Sequence, residues 1–340
     1  MEVCLITGGM GFIGSNFIRF LFKSNSDLKI INVDKLTYAG NPENLKDVEK
    51  KYSSLYTFYK TDICDFGAID EIVKKEKVNY IINFAAESHV DRSIDNPSVC
   101  CDTNIFGTQS LLNVARKNNI KKYVQISTDE VYGSLNFEDP AFTEKTLLSP
   151  NSPYSASKAS ADLLVRAYYK TFKLPVNITR CSNNYGPYQF PEKLIPLMIN
   201  NALNDKKLPI YGKGINIRDW ISVDDHCDAI FKILMKGKIG QIYNIGGDSE
   251  IKNINLVKKI LRILNKPESL IKFVKDRPGH DLRYAINHDK ITKELNWTPE
   301  VKFDEGLRMT IQWYLDNKEW LNNVITKDYL KYYEKHYKNR

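Results

Sequence analysis

A turn with three regularly spaced glycines constrains the fold of this chain most. Gly8, Gly11 and Gly14 separate a short apolar run at residues 3–7 from a segment, residues 12–21, whose apolar side chains recur at helical spacing. A strand, a glycine turn and a helix in this order predict the first unit of a parallel α/β sheet. The GxxGxxG spacing by itself also fits an ordinary tight turn.

The same turn can bind a phosphate group. Backbone N–H groups in the turn and at the start of the following helix can hold a pyrophosphate, and a side chain at Gly11 would obstruct its approach. Met10 stands where Ala is commoner, and we expect a solvent-exposed turn to tolerate it. We assign five residues of this segment to a dinucleotide site: Gly8, Gly11, Phe12, Ile13 and Gly14.

An acidic residue at the end of the second predicted strand bears on the choice of dinucleotide. Asp34 lies 20 positions after Gly14, where a carboxylate can accept hydrogen bonds from the adenosine ribose hydroxyls. Its charge would repel a ribose phosphate, which favours NAD over NADP, although the adjacent Lys35 could tolerate that phosphate. Asp62 and Ile63 follow the third predicted strand, where adenine should bind, or they form an ordinary loop.

Strand and helix patterns alternate along the first half of the chain. We predict strands at 3–7, 28–33, 55–60, 78–84, 123–127 and 176–180, and helices at 12–21, 66–75, 103–118 and 154–172. This order predicts an α/β fold with a doubly wound parallel Rossmann sheet and helices on both faces. Beyond about Asn183 the pattern becomes irregular, with Pro187, Pro191, Pro196 and Pro209 marking loops. We place a NAD-binding domain at 1–182 and a smaller C-terminal α/β substrate-binding region at 183–340, partly interleaved through a strand at 241–245.

Composition excludes several classes of protein. Apolar residues make up 42% and charged residues 26% of the chain, and no apolar stretch approaches the ~18 residues that cross a bilayer. The chain begins Met-Glu without a basic segment or a long apolar run, which predicts a cytoplasmic protein. The net charge of +8 suits anionic small molecules rather than nucleic acid, and we expect the Lys- and Tyr-rich segment 327–340 to be a solvated helix end.

Cysteine and histidine spacings indicate neither disulfides nor a metal centre. The six cysteines contain no CxxC pair, and the five histidines contain no HxxxH or HxH pair. This pattern predicts scattered reduced thiols and no bound metal.

Tyr154 and Lys158 form the second candidate site. Because they lie four residues apart on a predicted helix, their side chains share one face. The ammonium can then lower the phenol pKa, so that a tyrosinate accepts a proton from a substrate hydroxyl. Tyr-x-x-x-Lys often occurs by chance, but here Ser127 and Thr128 precede it at the end of a predicted strand, which indicates a redox site.

Together the glycine turn, the Ser127-Thr128 strand end and the Tyr154/Lys158 pair resemble the extended short-chain dehydrogenase/reductase family, over nearly the whole chain. Within that family the residues after Thr128 differ with the reaction. Nucleotide-sugar epimerases usually carry small residues where this chain has Asp129 and Glu130. GDP-mannose dehydratases and UDP-glucuronate decarboxylases usually carry Ser at position 129.

Two adjacent acids beside a hydride-transfer site suit an elimination reaction. One group must remove a proton from carbon 5 of the sugar, and another must protonate the hydroxyl that leaves carbon 6. Glu130 as the base and Asp129 as the acid match that requirement. The alternative is that both acids are solvated loop residues.

Five further segments bring the resemblance closer to the family members that dehydrate nucleotide sugars: 34–41, 85–93, 182–187, 191–196 and 276–281. The resemblance implies a dTDP-linked glucose as substrate and a closed redox cycle on tightly held NAD. Tyr154 would take the carbon-4 hydroxyl proton as hydride moves to NAD⁺, with Thr128 and Lys158 positioning the groups. Glu130 would then remove the carbon-5 proton, Asp129 would protonate the departing hydroxyl, and hydride would return to carbon 6. The implied product is dTDP-4-keto-6-deoxyglucose, a precursor of deoxysugars.

The resemblance also implies which residues contact each ligand. Besides the five turn residues, the NAD contacts would be Asp34, Lys35, Thr37, Asp62, Ile63, Ala85, Ala86, Ser88, Thr103, Tyr154, Lys158 and Asn184. The nucleotide-sugar contacts would be Ser88, Thr128, Asn183, Lys193, Leu194, Pro209, Tyr211, Arg218, Asn253, Arg277 and His280. The two arginines can pair bidentately with pyrophosphate oxygens. Each of these residues singly could be an ordinary surface residue.

Three functions stay open at this point. They are a dehydratase, a nucleotide-sugar 4-epimerase or decarboxylase of the same fold, and a catalytically idle NAD-sensing or scaffolding protein. The acid pair argues against an epimerase, and the Tyr154/Lys158 pair argues against an idle sensor.

The partners that we expect are a small nucleotide sugar and a second copy of the chain, with no nucleic acid and no membrane. In the family, the helices equivalent to 103–118 and 154–172 build a four-helix homodimer interface. The apolar positions of these helices include Leu111, Leu112, Val165 and Tyr169. The same positions could instead face the sheet.

Overall fold

A computed structural model describes residues 1–24, 27–325, 329–331 and 333–334. Within those residues there are twelve strands: β1 (Glu2–Thr7), β2 (Leu28–Asp34), β3 (Tyr56–Lys60), β4 (Tyr80–Asn83), β5 (Lys122–Thr128), β6 (Val176–Cys181), β7 (Asn183–Tyr185), β8 (Leu208–Tyr211), β9 (Ile217–Ser222), β10 (Ile242–Ile245), β11 (Glu250–Lys252) and β12 (Ile271–Val274).

The same part of the chain contains thirteen α-helices. They are α1 (Phe12–Lys23), α2 (Lys46–Lys51), α3 (Phe66–Glu76), α4 (Val90–Asp95), α5 (Pro97–Cys100), α6 (Thr108–Lys117), α7 (Pro153–Phe172), α8 (Leu194–Leu203), α9 (Val223–Lys236), α10 (Asn253–Ile263), α11 (Asp289–Leu295), α12 (Phe303–Asp316) and α13 (Lys318–Val324). Shorter 3₁₀ turns cover Pro42–Asn44, Asp129–Tyr132 and Glu268–Leu270, and a π-helical segment covers Cys101–Gly107.

The central sheet confirms the predicted doubly wound parallel fold. Within the described residues it has seven strands in the order β10-β6-β5-β4-β1-β2-β3, and every pairing in it is parallel. Strands β1, β2 and β5 are buried on both faces, which explains why apolar residues stand next to one another in their sequences rather than alternating with polar ones. The strand order reverses between β1 and β4, the place where open α/β sheets bind ligands.

Helices cover both faces of this sheet. On one face Ile6 of β1 lies in a cluster with Phe17 of α1, and on the other face its neighbour Leu5 lies in a cluster with Leu111 of α6. Successive side chains of one strand therefore enter two separate cores, as the pleat requires. The two cores fix the sheet between the helical layers.

The second half of the chain is more regular than predicted. The expectation that Pro196 and Pro209 mark loops is wrong, since Pro196 lies in the first turn of α8 and Pro209 lies within β8. A first-turn proline loses no helical hydrogen bond, because that N–H has no intrahelical acceptor. Helix α8 is apolar almost all round, and burial of most of its residues removes the amphipathic period by which a helix is recognised in a sequence.

Several contacts join the second half of the chain to the first, among them a strand pairing and a tryptophan hydrogen bond. Strand β10 returns to the central sheet and pairs with β6, as predicted for the strand at 241–245. In α13, Trp320 donates from Nε1 to Asn44 Oδ1 at 2.8 Å. The two regions are thus interleaved, while the boundary at residue 182 stays a prediction.

The predicted helix at 103–118 is two segments, because the π-helical Cys101–Gly107 precedes α6. Leu111, Leu112 and Val165 are completely buried, so these positions face the sheet rather than a partner. Other apolar side chains of the same region are exposed, among them Phe106 at 57% and Leu163 at 56%.

No helix among the described residues has the length and apolar character needed to cross a membrane. Nor do those residues contain a cluster of three side chains suited to a metal ion. The predicted solvated helix end at 327–340 falls mostly outside the described residues.

Candidate active site

The glycine turn closes tightly between β1 and α1. Gly8 has a φ of +69°, and a Cβ there would lie 2.6 Å from the backbone nitrogen of Ala85. A Cβ on Gly14 would lie 2.4 Å from the Gly8 carbonyl oxygen. Gly11 precedes α1 without a side-chain cap, so the first N–H groups of the helix have no capping side chain. This arrangement fits the pyrophosphate of a dinucleotide.

The expectation that Met10 lies in a solvent-exposed turn is wrong. Only 3% of Met10 is exposed, and its side chain belongs to the core beneath α1. Its backbone carbonyl accepts from the Asn41 N–H at 3.0 Å and from Asn44 Nδ2 at 2.9 Å. The glycine turn is thereby tied to the loop after β2.

Asp34 hydrogen-bonds to both the glycine turn and the loop after β2, the two segments that border the cofactor cleft. Its Oδ2 accepts from the Met10 N–H at 3.0 Å, and its Oδ1 accepts from the Leu36 N–H at 2.8 Å. Burial raises the pKa of Asp34, and these two hydrogen bonds oppose that rise. The carboxylate therefore lies in the lining of the cleft, with both of its oxygens oriented by the backbone.

Lys35 is paired with Asp62 across the adenine end of the cleft, its Nζ lying 2.6 Å from Asp62 Oδ2. Burial is the largest single influence and works to raise the pKa of Asp62, but the hydrogen bonds from Lys35 and Cys64 together outweigh it and the pKa is lowered. Because its ammonium already has a carboxylate partner, Lys35 is poorly placed to neutralise a ribose phosphate. The pairing favours NAD over NADP.

The predicted cofactor residues lie together along the carboxyl ends of the parallel strands. All of them line one cleft: Gly8, Gly11, Phe12, Ile13, Gly14, Asp34, Lys35, Thr37, Asp62, Ile63, Ala85, Ala86, Ser88, Thr103, Tyr154, Lys158 and Asn184. The cleft continues past the end of β5 to Thr128, Asp129 and Glu130.

Helix α7 brings Tyr154 and Lys158 to the inner end of the cleft. The helix starts with a capping box in which the Ser152 side chain accepts from the Ser155 N–H at 3.0 Å. This cap fixes the first turn, where Tyr154 lies. Lys158 donates from Nζ to the Ile126 carbonyl of β5 at 2.7 Å, and burial lowers its pKa.

The expectation that Lys158 lowers the phenol pKa of Tyr154 is wrong for the protein alone. Burial raises that pKa well above its usual value, and the nearby Glu130, Cys181 and Asp129 raise it further. Only 8% of Tyr154 is exposed, so the phenolate would be poorly solvated. The Lys158 ammonium hydrogen-bonds to a backbone carbonyl and is itself destabilised by burial.

The acid pair follows β5 in a 3₁₀ turn that Thr128 caps. Asp129 is 1% exposed and Glu130 is half-buried, so the alternative of two solvated loop acids is excluded. Asp129 Oδ2 has no hydrogen-bond partner among the described residues. Burial and the neighbouring Glu130 raise the pKa of Asp129 well above its usual value.

Glu130 has different electrostatic surroundings. Burial raises its pKa, but Arg277, Lys193 and Arg218 favour its ionised form. The pKa of both carboxyl groups is raised, but that of Asp129 is raised well above its usual value, so Asp129 holds its proton more firmly than Glu130 does. This division provides a proton donor and a proton acceptor side by side.

A second cavity adjoins the cleft at Glu130. It is lined by the remaining predicted substrate residues, namely Asn183, Lys193, Leu194, Pro209, Tyr211, Arg218, Asn253, Arg277 and His280. The Arg218 guanidinium lies 4.2 Å from the Tyr284 ring centroid and donates to the Asp281 carbonyl at 2.9 Å. Arg277 Nε and Asn253 Oδ1 are buried, and neither bonds to any described residue. Three cations on the walls of one cavity can bind a diphosphate.

One residue that the sequence interpretation left without a role, Glu192, lines the cleft, and two more, Arg92 and Tyr38, lie beside it. Glu192 is 7% exposed, lines both cavities and accepts from Arg92 Nε at 3.0 Å. The Arg92 guanidinium lies 3.8 Å from the Tyr38 ring centroid. Arg92, Glu192 and Tyr38 all fall in segments that carried the resemblance, which is the signal that could have found them.

The fold and the site define an NAD-dependent enzyme of the extended short-chain dehydrogenase/reductase class. The family described as GDP-mannose 4,6 dehydratase matches residues 5–310. The chain is 49% identical to the dTDP-glucose 4,6-dehydratase of Salmonella typhimurium, over 99% of each chain. It belongs to the dTDP-glucose 4,6-dehydratase family.

Solved structures agree with this assignment. The dTDP-glucose 4,6-dehydratase of Bacillus anthracis, crystallised in complex with NAD, is 50% identical, with a TM-score of 0.89 over 95% of this chain and 100% of that one. The Streptomyces venezuelae enzyme, crystallised with NAD bound, is 46% identical, with a TM-score of 0.92 over the same shares.

Proposed function

We propose that the protein dehydrates dTDP-glucose to dTDP-4-keto-6-deoxyglucose with NAD as its cofactor, a step in deoxysugar biosynthesis. The observation that carries this proposal is the buried pair of acids beside Tyr154. The relatives' names support the substrate, and the glycine turn and Asp34 support the cofactor. When bound, NAD⁺ supplies a hydride acceptor and a positive ring charge that favours the tyrosinate.

The chain's own residues move three protons in this reaction. Tyr154 Oη accepts the proton of the carbon-4 hydroxyl, while Lys158 and the Thr128 hydroxyl orient the groups around it. The resulting ketone acidifies carbon 5, and the Glu130 carboxylate removes that proton. Asp129, whose pKa burial raises, gives its proton to the carbon-6 hydroxyl as water leaves, and the protonated Glu130 returns a proton to carbon 5 when hydride is delivered to carbon 6.

The second cavity holds the nucleotide part of the substrate. Arg218, Arg277 and Lys193 bind the pyrophosphate, and the same cations oppose the rise in the pKa of Glu130 that burial causes. Lys193 donates from Nζ to the Ser88 carbonyl at 2.6 Å, which fixes its position between the two cavities. One set of charges therefore binds substrate and prepares the base.

The other candidate reactions make less use of these residues. A 4-epimerase needs no proton donor for carbon 6 and no base for carbon 5. A decarboxylase releases carbon dioxide and leaves Asp129 without a leaving hydroxyl to protonate. An idle NAD-binding protein would not need the buried, partnerless Asp129 oxygen, which is costly to keep.

We infer that two copies of the chain assemble through α6, α7 and the π-helical segment between α5 and α6. Phe106 and Leu163 are exposed apolar side chains in this region, and α6 packs directly against α7. A second copy placed against this helix pair would cover them with a four-helix arrangement. Leu163→Glu should convert a sedimenting dimer into a monomer, whereas Leu147→Glu, at an exposed loop position, should not.

Mass spectrometry of the products tests the proposed reaction. The protein is incubated in deuterated water with dTDP-glucose, UDP-glucose, GDP-mannose and UDP-glucuronate. Loss of one water with gain of one deuterium identifies 4,6-dehydration, and dTDP-glucose should react fastest. An unchanged mass with an inverted carbon 4, loss of carbon dioxide, or no reaction with any substrate would each contradict the proposal.

A further inference from the structure

A buried ion pair lies directly behind Lys158. Asp162 follows Lys158 by four residues on α7, so Tyr154, Lys158 and Asp162 form one stripe along the helix. Arg180 of β6 donates from Nε to Asp162 Oδ2 at 2.8 Å, with 4% and 1% of the two side chains exposed. Neither Asp162 nor Arg180 lines the two cavities.

Groups on the far side of the pair hold its guanidinium. The Arg180 guanidinium lies 4.8 Å from the Tyr132 ring centroid, and the Tyr132 hydroxyl donates to Asn244 Oδ1 at 2.8 Å. Tyr132 and Asn244 thus hold the guanidinium from the side of the 3₁₀ turn and β10. The second carboxylate oxygen, Asp162 Oδ1, is buried and has no hydrogen-bond partner among the described residues.

Several groups face the Lys158 ammonium. From β5 the Ile126 carbonyl accepts its hydrogen bond, from β6 the Cys181 thiol approaches it, and from α7 itself Tyr154 and Asp162 flank it. Burial lowers the pKa of Lys158, while Asp162 and then Cys181 raise it. Among the described residues, Asp162 is the carboxylate that compensates the buried ammonium.

Stability alone gives little reason to bury such a pair. Removing two charges from water costs several kcal/mol per ion, and well-packed apolar replacements are often equally stable. An unpaired ammonium beside the Ile126 carbonyl would lose its proton readily, because an isolated buried charge is strongly disfavoured. The position of Asp162 on the Lys158 stripe supplies a functional reason for the pair.

We propose that Asp162 is a positioning residue that keeps Lys158 protonated during oxidation of the sugar at carbon 4, and that Arg180 holds the Asp162 carboxylate in place. This proposal rests on the proposed function, because it concerns the first step of that reaction. In this proposal three charges of alternating sign, those of Arg180, Asp162 and Lys158, are fixed in a row behind the Tyr154 hydroxyl. No proton moves along it during the reaction.

The test is the pH dependence of the first step alone. Nicotinamide reduction is followed by absorbance in a single turnover with dTDP-glucose, in the parent and in the double variant Asp162→Asn/Arg180→Gln. The double variant removes both charges of the pair, so neither Asp162 nor Arg180 is left as an unpaired buried ion and only Lys158 loses its compensating carboxylate. Loss of the Lys158 proton should limit the rate at high pH in both proteins. We expect that limit to move to lower pH by about one unit or more in the double variant.

Two further variants separate this role from a structural one. Asp162→Glu restores a carboxylate and should return the limit toward the parent pH. The control variant Glu250→Gln/Arg283→Gln removes another ion pair and should leave the alkaline limit unchanged. In that pair, Arg283 Nε lies 2.6 Å from Oε2 of Glu250, which is on β11. If the double variant at Asp162 does not fold, Asp162→Asn alone should show the same downward shift.

The outcomes distinguish this inference from the proposed function. If the parent reduces no nicotinamide with dTDP-glucose at any pH, the proposed function fails. If the parent reacts and the folded Asp162 variants keep the parent's alkaline limit, the proposed role of Asp162 is overturned while the dehydratase proposal stands. A downward shift that Asp162→Glu reverses supports both.

Discussion

Thr128 Oγ1 lies 3.2 Å from Asp129 Oδ1, so the hydroxyl donates to the carboxyl group of its neighbour. The same oxygen accepts from the backbone N–H of Glu130 at 3.3 Å. One hydroxyl at the end of β5 therefore orients both acids of the elimination. Replacing it should disturb the acid pair without removing either carboxyl group.

Thr128→Val keeps the shape of the side chain and removes this donor and acceptor. We expect kcat to fall roughly tenfold, because a lost hydrogen bond of about 1 kcal/mol corresponds to that order of change in rate. Thr128→Ser retains the hydroxyl and should keep most of the activity. Steady-state kinetics on both variants compares them, and equal losses would contradict a specific role for the Thr128 hydroxyl.

Glu130→Gln should separate oxidation from elimination. Tyr154, Lys158 and the cofactor cleft stay intact, so the sugar is still oxidised at carbon 4, but the base for carbon 5 is lost. Reduced nicotinamide should then accumulate on the enzyme, and product formation should fall 10²-fold or more. Rapid-mixing absorbance and mass analysis of the recovered sugar measure both quantities.

Tyr154→Phe serves as the contrasting variant for that experiment. It removes the base of the first step, so neither reduced nicotinamide nor product should appear at the parent rate. Deuterium at carbon 5 should likewise be absent, because no ketone forms to acidify that position. Accumulation of reduced nicotinamide in this variant would show that another group takes the hydroxyl proton.

Asp129→Asn should change activity and stability in opposite directions at high pH. Burial and Glu130 raise the pKa of Asp129 in the folded protein above the value of about 3.9 of an unfolded chain. Ionisation of Asp129 therefore costs folding stability as the pH rises from that value through the raised pKa. The variant lacks this cost and should melt at a higher temperature than the parent at pH 8, with the difference shrinking toward pH 4.

The same raised pKa sets the alkaline limit of water loss. In the parent, elimination should slow as the pH rises through the pKa of Asp129, since only the protonated acid can assist the departing hydroxyl. Asp129→Asn should be slow in water loss at every pH while keeping exchange at carbon 5, provided that water loss is stepwise. Thermal melts and product formation from pH 4 to pH 9 measure both effects.

Asp34→Asn should weaken NAD binding and reduce the preference over NADP. The asparagine amide keeps the shape of the carboxylate but lacks its negative charge. That charge strengthens the hydrogen bonds that the ribose hydroxyls would donate, and it repels a ribose phosphate. A loss of roughly tenfold in affinity is expected for a hydrogen bond to a charged group. Calorimetric titration with both dinucleotides tests this, and Lys35→Ala is the matched control. If NAD affinity stayed the same, the ribose contact would have to be made elsewhere.

Local sequence patterns predicted the sheet well for a physical reason. Strands buried on both faces carry neighbouring apolar residues, and β1 shows this directly with the apolar run at residues 3–6. Helix α8 was missed because it is buried on nearly all sides, which leaves no polar face to mark its period. In β8, Pro209 pairs with Lys272 of β12 in a two-stranded sheet, a long-range contact that no local pattern contains.

The site was predicted through side-chain chemistry at fixed spacing, and the shortfalls come from burial. Met10 looked exposed, yet it lies in a core that residues far along the chain complete. The pKa of Tyr154 depends on the depth of the cleft and on Glu130, which the Tyr-x-x-x-Lys spacing does not report. Arg180 pairs with Asp162 only after β6 has joined β5 beside α7, so their contact is a product of the fold.

The place of β10 in the central sheet has a consequence for folding of the chain during its synthesis on the ribosome. Strand β6 is the partner of β10, and 60 residues of chain lie between Cys181 and Ile242. During synthesis from the N-terminus, the open edge of β6 is therefore available to other strands until that later segment has emerged. Unpaired edges are templates for aggregation, so slow translation or a chain truncated before Ile242 should favour association of incomplete chains.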